Sequence, residues 1–367
     1  MKTFLLSLLA AFSVSGQVWS VAQIGDLHVG SSPNLTISTF DTFQNFLLTH
    51  TNDGAFNFVG VISPGDLYEQ NSQFYPGGIW ATDSTIVSLP YLTNFVGNMI
   101  AHGLFVDFCP GNHDADFIAG TDGTGYLWKC DTNALFWNTI LPLSTFTNTP
   151  AFAGTQLAND SRSMIFKYHN ILFLSFFVET NGLTDQPLLY SNQCAWINSQ
   201  CAANPDKNVF VMSHYFLSAR MLVETNCISN GYLDAGPSVA VISNGVTANP
   251  NLLELASGHV QNLFSGHTII PGTDGHAIDV SGWNMQNGKY NGSAIFSMWF
   301  FRVWTFDDAK QTVTVNTYSF PDGGFLTNLD ARMTRTTAAA NTIPAYYTFL
   351  HNWTVPFAVP KRFFFST

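Results

Sequence analysis

The stretch Leu104-Phe105-Val106-Asp107-Phe108-Cys109-Pro110-Gly111-Asn112-His113-Asp114 is the most informative in this chain. An apolar run of strand composition gives way to an Asn, a His and an Asp side by side. A strand ending in this way presents polar groups at the carboxyl end of a sheet, where open α/β sheets bind their ligands. Two similar strand ends lie upstream: Val18 to Ile24 runs into Gly25-Asp26-Leu27-His28, and Phe56 to Ile62 runs into Ser63-Pro64-Gly65-Asp66. Two more lie downstream, in Val209 to Met212 with Ser213-His214 and in Leu263-Phe264-Ser265-Gly266-His267. These strand ends are expected to converge on one place.

Between them, Thr39 to Thr49 carries Phe40, Phe43, Phe46, Leu47 and Leu48 at helical spacing. Thr85 to His102 reads as the next helix. Strand–helix–strand alternation of this kind predicts a mostly parallel sheet with right-handed crossovers. Residues 69–81 are polar and Gly/Pro-bearing, hence loop. Residues 115–149 look irregular and 217–247 loop-rich, and insertions of that length usually serve function. Met164 to Tyr168 and Ile171 to Val178, about His169-Asn170, suggest a hairpin. A helix around Trp196 follows, and Leu252 to Ala256 reads as a short helix. From Ala277 onward the pattern turns to strands (Ala277 to Val280, Ala294 to Trp304, Thr312 to Phe320). They read as a second sheet packed on the first, giving an α/β (α+β) class.

Composition narrows the setting. Charged residues make up 10% of the 367-residue chain, against about a quarter in ordinary soluble domains. Solvation must then rest on Asn, Ser, Thr and Gln, as in secreted proteins. The net charge of −11 argues against a nucleic-acid partner, because polyanions need a basic surface. Lys2, the apolar run Phe4 to Val14 and the small residues Ser13, Ser15 and Gly16 fit a signal peptide over residues 1–16. That run is shorter than the roughly 20 residues a membrane span needs. Asn34, Asn159, Asn291 and Asn352 stand in glycosylation triplets. The expected location is secreted or lumenal (extracellular, vacuolar or lysosomal). One domain is expected over residues 17–330, with an aromatic C-terminal extension, 331–367, packed on it. Cys109 reads as a free core thiol. Cys194 and Cys201 are too far apart on one helix to bridge, so any disulfide would take them to Cys130 or Cys227. No cysteine pair has zinc-finger spacing.

The order Asp26-x-His28, Gly65-Asp66, Gly111-Asn112-His113-Asp114, His214 and Gly266-His267 resembles the calcineurin-like metallophosphoesterase superfamily, over about residues 18–320. The resemblance implies two mixed β-sheets packed as a sandwich flanked by helices, with a metal site at the strand carboxyl ends. It implies two divalent or trivalent ions such as Zn, Mn or Fe, which carboxylate, imidazole and amide oxygen suit. By the same resemblance Asp26 and His28 hold one metal, Asp66 bridges, and Asn112, His214 and His267 hold the other. His113 would protonate the leaving alkoxide. Glu69, where the family often has an Asp, would orient that imidazole.

The sequence departs from the pattern in one important way. The family usually reads Gly-His-x-His, its second His completing the first metal site, and here Ile269 occupies that place. A weak first site, a substitute ligand, or a site run on one metal or none would each follow. His276 is the nearest substitute, although it begins a strand. His259, in Ser257-Gly258-His259, reads as a turn residue, and His50, His102 and His169 as residues at element ends. Purple acid phosphatases fit poorly, since Tyr68 lies two rather than three residues after Asp66 and the motif ends in Asp114 rather than Glu. The expected function is a secreted metal-dependent phosphoesterase, cleaving a small phosphomonoester or phosphodiester by attack of a metal-bound hydroxide. The alternative is a non-catalytic secreted binding protein on a degenerate metallophosphoesterase scaffold.

Overall fold

The computed structural model describes residues 17–25, 27, 37–67, 84–111, 113–114, 116–119, 126–129, 149–158, 161–181, 186–188, 191–214, 244–258, 265–283, 288–290, 293–294, 298–327, 333–335 and 352–358. Asp26, His28, Asn34, Glu69, Asn112, Asn159, His259, Asn291 and the segment 1–16 lie outside these residues.

The chain opens with β1 (Val18–Gln23), α1 (Ile37–Thr49), β2 (Phe58–Ser63), α2 (Ser84–Ala101) and β3 (Phe105–Phe108). Next come β4 (Asp116–Ala119), β5 (Tyr126–Lys129), β6 (Phe152–Ala158), β7 (Ser161–Tyr168) and β8 (Ile171–Ser175). Then follow β9 (Glu179–Asn181), β10 (Gln186–Leu188), α3 (Ser191–Ala203), β11 (Asn208–Ser213) and β12 (Leu252–Ser257). The last third holds β13 (Ser265–Pro271), β14 (Ala277–Trp283), β15 (Gly288–Tyr290), β16 (Ser293–Ala294) and β17 (Phe300–Asp307). It ends with β18 (Thr312–Ser319), β19 (Gly324–Phe325), β20 (Met333–Arg335) and β21 (Asn352–Pro356).

Two seven-stranded sheets carry the architecture. The first runs β19-β18-β17-β1-β2-β3, with β21 also on β18. Its strands β1, β2 and β3 are parallel, and β17 pairs antiparallel with β1. The second runs β13-β14-β12-β11-β8-β7-β6. Here β8, β11, β12 and β14 are parallel, while β6, β7 and β13 run antiparallel to their neighbours. The sheets pack face to face as a sandwich.

Side-chain alternation shows why. On β8, Ile171 and Phe173 enter the main core whereas Leu172 and Leu174 face the cluster built with α3. On β11, Phe210 and Met212 point one way, Val209 and Val211 the other. Central strands are thus apolar on both faces. α1 buries Phe40, Phe43 and Leu47 and α2 buries Leu92, Phe95, Val96 and Met99, helical spacing that makes one covering face for each. Rings fill the space with edge-to-face and stacked contacts, as in Phe43 against Phe301 at 5.1 Å and Trp19 against Phe306 at 4.2 Å.

Three expectations need correction. Leu252 to Ala256 is not a helix but part of β12, whose residues are buried without exception. A short run apolar on both faces has neither helical nor strand period. The strands after Ala277 do not form the second sheet by themselves. β14 belongs to that sheet, whereas β17 and β18 close the first one beside β1. Finally, β13 begins at Ser265 rather than ending at His267, and it runs antiparallel at the sheet's edge. Within 115–149, β4 and β5 form a hairpin that pairs on through β9 to β10.

The tail contributes β21, which adds to the β18 edge with Trp353 and Val355 inward and Asn352 exposed. Cys109, Cys194 and Cys201 are buried, and Cys109 and Cys201 are free thiols. Among the described residues no helix is long and apolar enough to cross a membrane.

Candidate metal centre

The carboxyl ends of β2, β3, β11 and β12 meet at one rim of the sandwich. β2 and β3 are locked there by the Cys109 N–H donating to Ser63 O at 3.0 Å, and β11 and β12 by the Gly258 N–H donating to Ser213 O at 3.3 Å. The first sheet reaches the second through His214, whose Nδ1 lies 2.8 Å from the Pro64 carbonyl. Gly258 lies so close that a Cβ there would sit 2.8 Å from His214 Nδ1.

The turn after β2 aims the first carboxylate. Gly65 at φ 115° leads into Asp66 at φ 53°, a left-handed conformation that costs a non-glycine residue roughly 1–2 kcal/mol. Backbone strain of this sort collects at functional sites. It folds the Asp66 side chain back into the rim, where Oδ1 accepts the His113 backbone N–H at 3.0 Å. Oδ2 lies 3.1 Å from His214 Nε2. Asp66 is 3% exposed and His214 fully buried.

Asp114 closes the frame from below. Its carboxylate accepts the Leu67 N–H at 2.9 and 3.1 Å and the Gly111 N–H at 2.8 Å, in full burial. It therefore ties the β2 turn to the β3 turn, and its role is to position the rim. Asp114→Ala strands both N–H groups and should cost about 3 kcal/mol. Urea unfolding reads this as a lower midpoint at unchanged slope. Nearby, burial and then the Asp107, Asp114 and Asp66 carboxylates push the Cys109 thiol well above its usual range, so it is a neutral packing group.

The residues present fit a metal ion. The Pro64 carbonyl can only accept, so Nδ1 carries the proton and Nε2 turns its lone pair outward. That lone pair faces Asp66 Oδ2 in a buried rim, where the two can share a cation or a proton. Imidazole with its far nitrogen held by a backbone carbonyl is the usual form of a metal-binding histidine. Among the described residues no three His, Cys, Asp or Glu side chains form a complete metal cluster.

Of the residues expected from sequence, the structure brings Asp66, His113 and His214 together at this rim. The buried residues Gly25, Leu27 and Gly111 adjoin Asp26, His28 and Asn112 in sequence, and Leu67 lies two residues before Glu69. For His267 only the backbone is described. It is inside β13, opposite Ser281 of β14, which pairs in turn with Ala256 of β12. Two strand spacings, about 10 Å, separate its backbone from β12. By contrast, β12 ends at Ser257, whose hydroxyl donates to His214 O at 2.9 Å. The residues that follow Gly258 are His259-Val260-Gln261. His276 is occupied structurally, bonded to Asp274 and, through Nε2 at 2.9 Å, to Leu252 O.

No protein-family model and no curated protein matches this chain. Among solved structures, a dimetal phosphatase from Danio rerio is similar with a TM-score of 0.50 and 10% sequence identity, over 92% of this chain and 99% of that one. A conserved uncharacterized protein from Streptococcus pneumoniae, a predicted phosphoesterase, matches at 9% identity over 87% of this chain and 98% of its own, with a TM-score of 0.30. With the dimetal phosphatase, low identity over nearly the whole length is a likeness of fold. The fold is that of the calcineurin-like metallophosphoesterases.

Proposed function

We propose that this chain is a secreted or lumenal, metal-dependent phosphoesterase that hydrolyses a small phosphomonoester or phosphodiester. The observation that carries the reading is the buried His214 Nε2 facing Asp66 Oδ2 at 3.1 Å, an imidazole nitrogen and a carboxylate oxygen placed together as two ligands of one cation would be. The dimetal phosphatase of similar fold supports a pair of ions such as Zn, Mn or Fe. In this reading Asp26 and His28 hold one ion and Asp66 bridges. Asn112, His214 and His259 hold the other, His259 replacing His267. Gln261 then stands where the family's second histidine would, and its amide oxygen is a weaker ligand than an imidazole.

Bound metal ions would lower the pKa of a water toward neutrality and clamp the phosphoryl oxygens. The remaining work falls to the chain. His113, anchored through its backbone N–H to Asp66, gives its ring proton to the leaving oxygen. Glu69 orients that ring. Asp114 holds both turns, so the reacting groups start close to their final positions. Signal-peptide cleavage near Gly16 and glycosylation at the exposed Asn352 and at Asn34, Asn159 and Asn291 belong to the same proposal.

Two substitutions test the ligand set. His259→Ala should lower bound metal, measured by elemental analysis of the purified protein, and cut hydrolysis about 100-fold or more. His267→Ala should leave both within about threefold of the parent. The reverse result would return the ligand role to His267. No metal after reconstitution, together with no hydrolysis across broad phosphoester substrates, would favour the non-catalytic binding protein instead.

A further inference from the structure

Away from the rim, the space between the two sheets holds the carboxyls of Asp107, Glu254 and Asp279 together with the guanidinium of Arg302, all buried. Asp107, on β3 of the first sheet, accepts the hydroxyl of Ser175 on β8 of the second. Its other oxygen, Oδ2, has no hydrogen-bond partner among the described residues. Glu254 and Asp279 are cross-strand neighbours on β12 and β14. Ser281 donates to Glu254 Oε1 at 2.5 Å, and the Trp353 indole N–H donates to Asp279 Oδ2 at 2.6 Å. From the first sheet, Arg302 lies over the Trp353 ring, 4.6 Å from its centroid.

These contacts cross the sandwich, and charge counting constrains them. Among the described residues, one guanidinium stands with three carboxyls in this interior. An isolated buried carboxylate is far too costly to keep, and such groups take up a proton instead. A neutral interior therefore needs two carboxyl protons.

We propose that the sandwich is a pH-gated clamp, in which two interior carboxyl protons hold the sheets together in acid and their loss on neutralisation loosens it. This device is independent of the metal centre and suits a protein working in an acidic compartment.

The titration behaviour agrees in direction. Burial pushes Asp107 up to about 7, opposed only by the Ser175 hydroxyl bond. Burial, and after it the Asp279 charge, drives Glu254 well above the ordinary carboxyl range, with Ser281 and Arg302 opposing. Burial lowers Arg302 to about 9, against Glu254 and Asp279. The groups facing Asp107 are Ser175 and, two residues along, the neutral Cys109. Those facing Glu254 are Asp279, Ser281 and Arg302. Farther off, Asp66, Asp114 and His214 occupy the rim, and His169 pairs with Asp308 at 2.8 Å between the turns that follow β7 and β17.

Folded-state values raised above the unfolded ones mean that the native protein holds more protons. For Asp107 the stabilisation is complete below its ordinary value of 3.8 and is lost as pH rises through about 7. Metal binding has the opposite slope, because its ligands must lose protons.

Thermal unfolding of the full chain, stripped with chelator, from pH 5 to pH 8 tests the clamp. The midpoint should fall by about 5–10 °C across that range. Asp107→Asn keeps an acceptor for Ser175 and removes one titration, so the fall should shrink by about half. Adding Glu254→Gln should flatten it. Should Asp107→Asn fail to fold, Ser175→Ala decides: removing that hydroxyl raises Asp107 further, and the fall should steepen. A parent midpoint that is level or rises with pH overturns the clamp. So does an unchanged slope in either Asp107→Asn or Ser175→Ala.

Discussion

Asp66→Asn is expected to abolish metal binding and lower hydrolysis by about three powers of ten, roughly 4 kcal/mol of transition-state stabilisation, while the metal-free protein becomes no less stable. The two halves of this result have one cause. In the parent, Asp66 Oδ2 and His214 Nε2 face one another at 3.1 Å with no hydrogen available from either in their metal-binding forms. An amide at position 66 keeps Oδ1 as acceptor for the His113 N–H and turns an N–H₂ toward His214. The acceptor–acceptor pair then becomes an ordinary hydrogen bond, worth about 1 kcal/mol net. The same hydrogen fills the place where a cation would sit. Calorimetric titration with Zn or Mn should therefore show no binding, and thermal unfolding under chelator should show an equal or higher midpoint than the parent. A variant that loses activity by misfolding would show a lower midpoint, and one that still binds metal with parental affinity would remove Asp66 from the site.

The parts of this fold that could be read from sequence are those where burial is one-sided or the strand ends are marked. Phe40, Phe43 and Leu47 announce α1 because only one face of that helix is covered. The strands β1, β2 and β3 are short apolar runs stopped by Asp, Gly-Asp and Gly-Asn-His-Asp. They deliver Asp66 and His113 to the same rim in the order expected. The reading failed where burial is complete. Leu252-Leu253-Glu254-Leu255-Ala256 lies in the middle of the second sheet with both faces covered, so no period survives in it. Mistaking β12 for a helix had a consequence for the site. A strand ending at Ser257 brings Gly258 to the rim, which is why Gly258-His259 enters the proposed ligand set, whereas Gly266-His267 lies on an edge strand.

Sheet membership was also illegible. Phe300 to Asp307 pairs with the first strand of the chain across nearly its whole length, and nothing local records a partner so distant. The interior carboxyls were hidden for a related reason. Asp107 and Glu254 look like interruptions in apolar runs until the opposite sheet supplies Ser175 and Arg302.

Gly111→Ala should eliminate the proposed metal centre through a single methyl group, with hydrolysis reduced at least about 100-fold. A Cβ on residue 111 would overlap Asp66 Oδ1 and the Asp66 backbone nitrogen, and would lie 2.8 Å from the carboxyl carbon. Rotating the carboxylate away could relieve the first contact but not the second, because the nitrogen belongs to the β2 turn. That turn cannot retreat freely, since Asp114 binds the N–H groups of Leu67 and of residue 111 together. Either the bond to His113 N or the approach of Asp66 to His214 must open. Forced overlap in a packed site costs about 1–3 kcal/mol, so the variant should fold with a modestly lower urea midpoint. The functional loss should be much larger than that stability loss, and raising metal concentration should not restore it. Gly97→Ala provides the control. Residue 97 lies within α2 and a Cβ there meets nothing within 4 Å, so alanine should add about 0.5–1 kcal/mol of helix stability with parental activity. If Gly111→Ala retained both activity and metal, β2 and β3 would not approach as closely as the site requires, and the assignment of Asp66 as a bridge between two ions would fall with it.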